Sequence, residues 1–586
     1  MTLLLKLSLL VSFSTCVLSH GVALSASGEE DFLITKSEPG TPGGKLVVAE
    51  RSEPKTLNPV TALDGPSRDV LRRMTADLIH INRTTQRTEP ALAQSWTVSA
   101  DKRSYTLRIR RGVQFSDGHS FDADDVVFSF QVNLDENVHS VQRDLLVIDG
   151  KPIAVAKLDQ YTIRFDLPKP YAAAERLFDS VAMLPRHLLE APYKEGKLAT
   201  TWGLDTPPGK IAGLGPFRLK EYVAGQRIVL ERNPYYWKTD AKGTRLPYLV
   251  QLLFIFVPSE DAQVLRFEAG ETDILNRISA ENFAVLEKEQ QARGFKLFDL
   301  GPGLEYNFLL FNLNDDTAGR MRETEFHQTW FRDQSFRQAI SVAIDRDAIV
   351  KLVYQGRAVP LAAQVTPGNK LWLNEALPKP ERSVVEAKAL LQGAGFHWKS
   401  DGTLIDAAGH PVEFSVLVSA SNAQRKQMAT LIQADLKQIG ITVQVVPMEF
   451  RTQVDRITQS HDYDSAIMAL GSGDVDPTAE MNVWLSSGAT HLWHLGEKQP
   501  ATKWEAEIDR LMRAQESETD PRKRKLEYDQ VQQLVASELP IVSLVSPNIL
   551  VGAKSGLANF EPSILDHYTL SNADELFWHL NNSTRK

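Results

Sequence analysis

The alternation of strand and helix patterns in the second half of the chain restricts the fold more than any other feature. Residues 412–418 alternate as a strand, residues 422–439 have helical spacing and end at Gly440, and residues 441–446 again alternate as a strand. Upstream, a helical pattern from Phe336 to Ile344 is followed by Asp345, which can cap a second helix that ends at Gly356. Strand, helix and strand in this order predict a partly parallel sheet covered by helices, and therefore an α/β fold.

The first half combines hairpin strands with capped helices. Alternating apolar residues from Tyr105 to Ile109 predict a strand, and Asp117-Gly118 predicts a turn after it. Asp122 can then cap a helix in which Asp125 is the third residue. The acidic residues of this segment suit the positive end of a helix dipole, so we interpret them as capping groups and not as a catalytic pair.

The first 26 residues have the pattern of a secretory signal peptide. Lys6 precedes an apolar stretch over residues 7–18, and small residues follow at 23–26. Residues 27–44 are rich in Ser, Glu, Gly and Pro, which predicts a flexible tether between the leader and the folded part. We therefore expect export to the periplasm.

The single cysteine, Cys16, lies within this leader. A mature chain without thiols has no disulfides and suits an oxidising compartment, where a free cysteine could pair wrongly. A lipoprotein anchored through Cys16 is the alternative. It is disfavoured because the preceding residues Phe13 to Thr15 match the small-residue consensus poorly.

Size and charge limit the functional class. A chain of 586 residues exceeds a single small domain, and its formal net charge of −9 repels phosphate polymers on average. We therefore expect several structural units and no nucleic-acid partner.

Several long stretches occur in an order that resembles one family. The densest is ALAQSWTVSADKRSYTLRIRRGVQFSDGHSFDADDVVFSF over residues 91–130. It is followed by LPRHLL, GLGPFRLKEYVAGQ, ERNPYYW, FRQAISVAIDRDAIVKLVYQGRAVP and LPIVSLVSP. Together they resemble the family 5 extracellular solute-binding proteins, the dipeptide- and oligopeptide-binding group of bacterial ABC importers.

The resemblance implies an α/β, two-lobed periplasmic binding protein-like fold with a bipartite first lobe and a hinge-linked second lobe. The first lobe is expected to have a core of residues 45–78, 205–298 and 540–582 with an extra subdomain of residues 79–204, and the second lobe to span residues 299–539. Two crossing segments are expected near residues 299–303 and 539–545. Gly301 and Gly303 are candidate hinge residues because glycine tolerates large backbone rotation.

The resemblance also implies a function. Such a protein captures a small solute, for example a peptide, between its lobes and delivers it to a membrane permease that a separate ATPase subunit drives. A ligand that contacts both lobes stabilises the closed state, which the permease can recognise. The expected form is a monomer without a cofactor.

In peptide-binding members a loop of Gly-Trp, then Asp, then Asp-Pro supplies a carboxylate for the peptide ammonium. The corresponding segment here is ALGSGDVDPTAEMNVW, in which Leu470 and Gly473 occupy the expected Trp and Asp positions. Asp474, displaced by one residue, is the candidate ligand contact, and a turn residue is the alternative. Sugars, modified peptides and other polar solutes therefore remain possible ligands.

Weaker patterns add five candidate contacts. Asp64 follows the TLNP loop, and Tyr306 and Asn307 follow the first crossing. Trp484 offers a stacking face, and Arg357 could meet a ligand carboxylate. These candidates are Asp64, Tyr306, Asn307, Trp484 and Arg357.

A secreted hydrolase is the competing class. The chain contains no GxSxG, HExxH or GxxxxGK[ST] motif, so we expect neither catalytic residues nor ATP hydrolysis. His491, His494 and Glu497 have a spacing compatible with a metal site, but we interpret them as packing residues and expect no metal. A periplasmic sensor or chaperone with the same cleft stays open.

Overall fold

The computed structural model describes residues 31–314, 325–565 and 568–579. Its largest sheet has eight strands, seven of them in one hydrogen-bonded path with an eighth paired to the long strand Val545–Lys554. In spatial order the path is Phe217–Val223, Arg227–Arg232, Gln251–Phe256, Lys45–Glu50, Ile274–Leu275, Val545–Lys554 and Phe295–Pro302, and the added strand is Ala358–Pro360.

A separate four-stranded antiparallel sheet packs beside this large sheet. Its strands in order are Ala93–Val98, Ser104–Ile109, Thr162–Asp166 and Ala154–Asp159. Tyr105, Leu107 and Ile109 are buried as their alternation predicted. The helix Ala123–Leu134 begins at Asp122 with a capping box that Asp125 completes, which confirms the sequence prediction. We call the body built on these two sheets the first lobe.

A five-stranded sheet organises the remainder, which we call the second lobe. Its order is Thr442–Met448, Glu413–Ser419, Ser465–Gly471, Glu305–Phe311 and Ile541–Ser543. Glu413–Ser419 pairs in parallel with Thr442–Met448, and the helix Ala423–Lys437 connects the two strands. The predicted β-α-β unit and the two-lobed α/β fold are confirmed.

Helices cover the sheets of both lobes. Asp345 caps Arg346–Val353 as predicted. Within the described ranges, five short two-stranded pairs complete the strands: Leu33–Ile34 with Lys238–Thr239, Ile79–Ile81 with Thr88–Pro90, Val147–Ile148 with Lys151–Pro152, His397–Trp398 with Leu404–Ile405, and Leu557–Ala558 with Phe577–Trp578. The α-helices are Gly65–Met74, Ala123–Leu134, Ala174–Ser180, Arg186–Lys194, Glu260–Glu268, Ala280–Glu287, Glu325–Arg332, Gln334–Ala343, Arg346–Val353, Val384–Gly393, Ala423–Lys437, Phe450–Asp455, Met481–Trp484, Lys503–Ser517 and Pro521–Glu538.

The chain passes between the lobes at two adjacent places. Phe295–Pro302 belongs to the large sheet and is followed directly by Glu305–Phe311 of the second lobe. Ile541–Ser543 belongs to the second lobe and is followed directly by Val545–Lys554 of the large sheet. Gly301 adopts a φ of +79°, which favours glycine. At Gly303 a Cβ would lie 2.8 Å from Cδ1 of Ile549, so this glycine permits close packing of the two crossing segments.

The amino-terminal part of the described chain differs from the predicted tether. Leu33–Ile34 pairs in parallel with Lys238–Thr239, and the amide of Gly43 donates to the Tyr248 carbonyl at 2.8 Å. Residues 31–44 are therefore attached to the first lobe. Backbone hydrogen bonds make this attachment, and they do not require apolar periodicity in the segment. The predicted signal peptide and Cys16 lie outside the described residues. Among the described residues, no helix combines the length and apolar character needed to cross a bilayer.

Candidate functional site

A cleft separates the two lobes and contains two neighbouring cavities. The smaller cavity has a volume of about 370 Å³ and lies between the first-lobe helices Gly65–Met74 and Ala174–Ser180 and the second-lobe loop 473–479. The larger cavity, of about 820 Å³, lies closer to the crossing segments. Arg68 lines both cavities, so they form neighbouring parts of one interlobe site.

An ion pair joins the lobes at the smaller cavity. Both carboxylate oxygens of Asp474 accept hydrogen bonds from the guanidinium of Arg176. The side chains of Arg176 and Asp474 are 12% and 24% exposed, so the pair is largely shielded from water. Burial opposes the charged form of Arg176, and Asp474 outweighs this effect and raises the pKa of the guanidinium. Asp474, the candidate ligand contact, therefore lines the cleft, and its carboxylate is paired with a first-lobe arginine.

Two further contacts hold the same edge of the cleft together. The Gln86 side-chain amide donates to the Gly368 carbonyl at 2.8 Å, and Lys169 Nζ lies 2.9 Å from a carboxylate oxygen of Glu516. Each contact joins a first-lobe residue to a second-lobe residue. The geometry is therefore that of a closed cleft.

Guanidinium groups dominate the smaller cavity. Its lining contains Arg68, Arg72, Arg83 and Arg176 beside the three carboxyl groups of Asp77, Asp179 and Asp474. Within the described part of the chain, the Arg68 guanidinium has neither an ion pair nor a hydrogen bond, and it is exposed to the cavities. This side chain is available to an anionic group that enters the cleft.

The carboxyl groups of Asp77 and Asp179 lie beside the same two arginines, and their pKa values shift in opposite directions. Burial opposes the charged form of Asp179, yet Arg72 and Arg83 outweigh it and hold the pKa of this carboxyl well below its usual range. Burial, together with the neighbouring charge on Asp179, raises the pKa of Asp77 to about 8. Four guanidinium groups face three carboxyl groups here, so the cavity keeps an excess of positive charge. His80 and the carboxyl groups of Asp77 and Asp179 have the spacing of a metal-ligand set. However, Arg72 already pairs with both carboxyl groups, and Arg83 pairs with Asp179.

The larger cavity has charges of both signs, and several of them are held in ion pairs. Asn307 lines it, and its side-chain oxygen accepts from Nε of Arg425 at 3.2 Å. Arg425 and Arg277 lie 3.6 and 3.4 Å from carboxylate oxygens of Glu305. Asn307 therefore lies where a ligand contact was predicted, although its side chain is engaged by Arg425.

Three other predicted contacts have structural roles in this fold. Asp64 caps the helix Gly65–Met74 by accepting from the Ser67 amide and hydroxyl. Tyr306 and Trp484 are each 1% exposed, and Nε1 of Trp484 donates to Glu480 at 2.9 Å. Neither ring presents a face to the cleft, because both pack into the hydrophobic core of the second lobe. We do not retain these three residues as ligand contacts.

Arg357 lines the larger cavity but contacts protein groups. Its Nη2 lies 2.9 Å from a carboxylate oxygen of Glu287, and its guanidinium stacks 4.7 Å from the ring centre of Phe283. Both partners belong to the first-lobe helix Ala280–Glu287. The Arg357 guanidinium is therefore engaged by protein groups beside the larger cavity, and we withdraw it as a carboxylate contact.

Sequence reasoning missed the arginines of the smaller cavity. Arg68, Arg72 and Arg73 follow one another on the helix Gly65–Met74, and this basic helix was the available signal. The pattern alone does not separate Arg73, which is buried, from Arg68, which faces the cleft.

Comparisons with known proteins agree with this architecture. A family model described as "Bacterial extracellular solute-binding proteins, family 5 Middle" matches residues 87–491. A "Probable ABC transporter-binding protein" from Deinococcus radiodurans is 28% identical over 539 residues, which cover 88% of this chain and 89% of the relative.

Two solved structures have a similar fold. The oligopeptide-binding protein AppA from Bacillus subtilis, in complex with a nonapeptide, superposes with a TM-score of 0.68 at 25% identity over 92% of this chain and all of that one. NikA from Brucella suis, in complex with Fe(III)-EDTA, superposes with a TM-score of 0.75 at 23% identity over the same shares. With the family model matching more than half of its length, the chain belongs to the bacterial extracellular solute-binding proteins of family 5.

Proposed function

We propose that this solute-binding protein encloses a peptide or another polar solute with an anionic group, and delivers it to the permease of an ABC importer. The observation that carries the proposal is the interlobe site itself, to which both lobes contribute charged side chains. A solute that contacts both lobes favours the closed state, and the two crossing segments allow the lobes to separate for entry and release.

The anionic preference follows from the charge of the smaller cavity. Over the residues that the structure describes, the Arg68 guanidinium has no protein partner, and the lining holds four guanidinium groups against three carboxyl groups. A carboxylate in this cavity would form a charge-assisted hydrogen bond with Arg68. The terminal carboxylate of a peptide is one such group. The relative from Bacillus subtilis binds a nonapeptide, which supports the peptide as the first ligand class to test.

A free peptide ammonium is the less suitable recognised group at Asp474. Both oxygens of this carboxylate already accept hydrogen bonds from Arg176 in the closed arrangement. An ammonium group would have to displace a bidentate guanidinium, which is a strong partner for a carboxylate. We therefore assign Asp474 to lobe closure and not to ligand recognition.

Two measurements test the proposal. Native mass spectrometry of protein collected from the periplasm would detect a co-purified solute, and calorimetry would measure binding of short peptides with free and amidated carboxyl termini. We expect tighter binding of the free acids, and the difference should disappear in Arg68→Gln. Absence of a bound solute together with absence of heat for every peptide would contradict the proposed ligand class.

A further inference from the structure

A compact group of histidines and glutamates lies inside the second lobe, outside both cleft cavities. His491 and Glu505 are 1% and 2% exposed, and the Glu497 side chain is 3% exposed. His491 and Glu497 lie in the loop before the helix Lys503–Ser517, and Glu505 is in the first turn of that helix. Carboxylates are rarely buried this deeply without a cation nearby.

The tautomer of His491 determines what its other ring nitrogen can do. Nδ1 lies 3.0 Å from the Val483 carbonyl oxygen, which can only accept, so Nδ1 carries a hydrogen. In a neutral ring Nε2 then has a lone pair. Nε2 has no hydrogen-bond partner among the described residues and lies 3.6 Å from Oε1 of Glu505. In the neutral ring, this lone pair faces a carboxylate in a buried environment.

Three potential ligand atoms converge at this point. Nε2 of His491 and one carboxylate oxygen each of Glu497 and Glu505 all lie within 4.8 Å of one another. Zinc bonds of about 2.0–2.2 Å to nitrogen and oxygen in a tetrahedron place the ligand atoms roughly 3.3–3.6 Å apart, so small side-chain movements would suffice. A cation at the centre would remove the repulsion among the three groups.

Surrounding hydrogen bonds already orient these side chains. Oε2 of Glu505 accepts from the Thr502 amide at 2.9 Å and from its hydroxyl at 2.7 Å, while Nε1 of Trp493 donates to Oε1 at 3.2 Å. Nδ1 of His494 contacts Oε1 of Glu497. Metal-binding histidines and carboxylates characteristically have such outer partners, which fix the ligand orientation before the ion arrives.

We propose that His491, Glu497 and Glu505 bind a divalent transition-metal ion, with zinc the best match to one imidazole and two carboxylates. The ion ties the loop that contains His491 and Glu497 to the helix Lys503–Ser517. Its role is structural, since the site is enclosed in the second lobe. This replaces the expectation from the sequence that these histidines only fill space. The proposal is independent of the solute that the cleft binds.

The test uses the full mature protein, stripped of metal by a chelator and then titrated with ZnCl2. Elemental analysis after desalting should give one zinc per chain, and thermal denaturation should show a Tm rise of several degrees that MgCl2 does not produce. Co2+ should give the visible absorption of a tetrahedral site. Glu497→Gln should weaken zinc binding by at least about tenfold and abolish the cobalt spectrum.

Two further variants serve as controls for the zinc-binding test. Glu507→Gln changes an exposed carboxylate on the same helix that pairs with Arg510, and it should bind zinc as the unmodified chain does. Should His491→Gln fail to fold, Glu497→Gln still decides the question. If the protein takes up no zinc, or if Glu497→Gln binds it unchanged, the proposal is overturned.

Discussion

Loss of the Arg176–Asp474 ion pair should shift the protein towards the open state while leaving its fold intact. The pair forms only when the lobes meet, because the partners belong to different lobes and are 298 residues apart. Removing one partner of a buried pair costs about 3–5 kcal/mol, and an exposed pair contributes about 0–1 kcal/mol. The exposures of 12% and 24% lie between these limits and indicate about 1–3 kcal/mol.

This free energy acts on the equilibrium between closed and open forms. A loss of about 1–3 kcal/mol lowers the closed population relative to the open one by roughly 5- to 150-fold. Asp474→Asn should therefore weaken binding of any solute that requires closure, and its Tm should change little. Gln86–Gly368 and Lys169–Glu516 remain available, so the variant can still close when a solute supplies enough binding energy.

Distance measurements between the lobes provide the assay. The only native cysteine is Cys16 in the predicted leader, so Lys151→Cys and Lys399→Cys can carry one spin label on each lobe. Pulsed electron resonance should show a broader distribution with longer distances for Asp474→Asn. The charge exchange Arg176→Asp with Asp474→Arg should restore the short distances.

A matched control changes an ion pair that does not join the lobes. Glu507→Gln removes a partner of Arg510 on the surface of the second lobe and should leave the distance distribution unchanged. If Asp474→Asn gives the same distribution as the unmodified chain, the ion pair does not hold the cleft closed. If the charge exchange fails to restore closure although both lobes stay folded, the assignment of Asp474 to closure is also refuted.

Three further results are expected. Arg68→Gln should lower affinity for carboxylate ligands by roughly tenfold or more in calorimetry without changing Tm, since the guanidinium has no protein partner among the described residues; equal affinity would remove it from the site. Asp476→Ala should lower Tm by several degrees, because Asp476 and Arg524, each 6% exposed, form a bidentate pair inside the second lobe whose disruption costs about 3–5 kcal/mol; an unchanged Tm would contradict this. Burial raises the pKa of Glu480 to about 7, so the folded state retains a proton that the unfolded state loses above its usual pKa. The unfolding free energy, relative to Glu480→Gln, should therefore fall as pH rises from about 4.5 to about 7 and stay constant above it; a flat difference in urea titrations would disagree.

Local chemistry explains which parts of the fold could be predicted. Asp122 and Asp345 cap helices because a short acidic side chain can bond a backbone amide two or three residues away, and this depends on few neighbours. The tether prediction was wrong for residues 31–44 for the opposite reason. Their partners near Lys238 and Tyr248 are about two hundred residues distant, and composition does not reveal them.

The candidate site shows the same limit. The notable aromatic residues Tyr306 and Trp484 are buried, whereas the unremarkable Arg68 and Arg176 line the cleft. A side chain's residue type sets its possible chemistry, but its direction depends on the packing of its helix or strand.

The amino-acid sequence by itself determined the α/β class, the resemblance to family 5 and the order of strands and helices, since periodicity, caps and turns depend on neighbouring residues. Only the tertiary structure decided which charges meet in the cleft, which aromatic rings are hidden, and that His491, Glu497 and Glu505 converge. The physical reason is that electrostatic interactions depend on distance and burial in space, and the folding of the two lobes sets both.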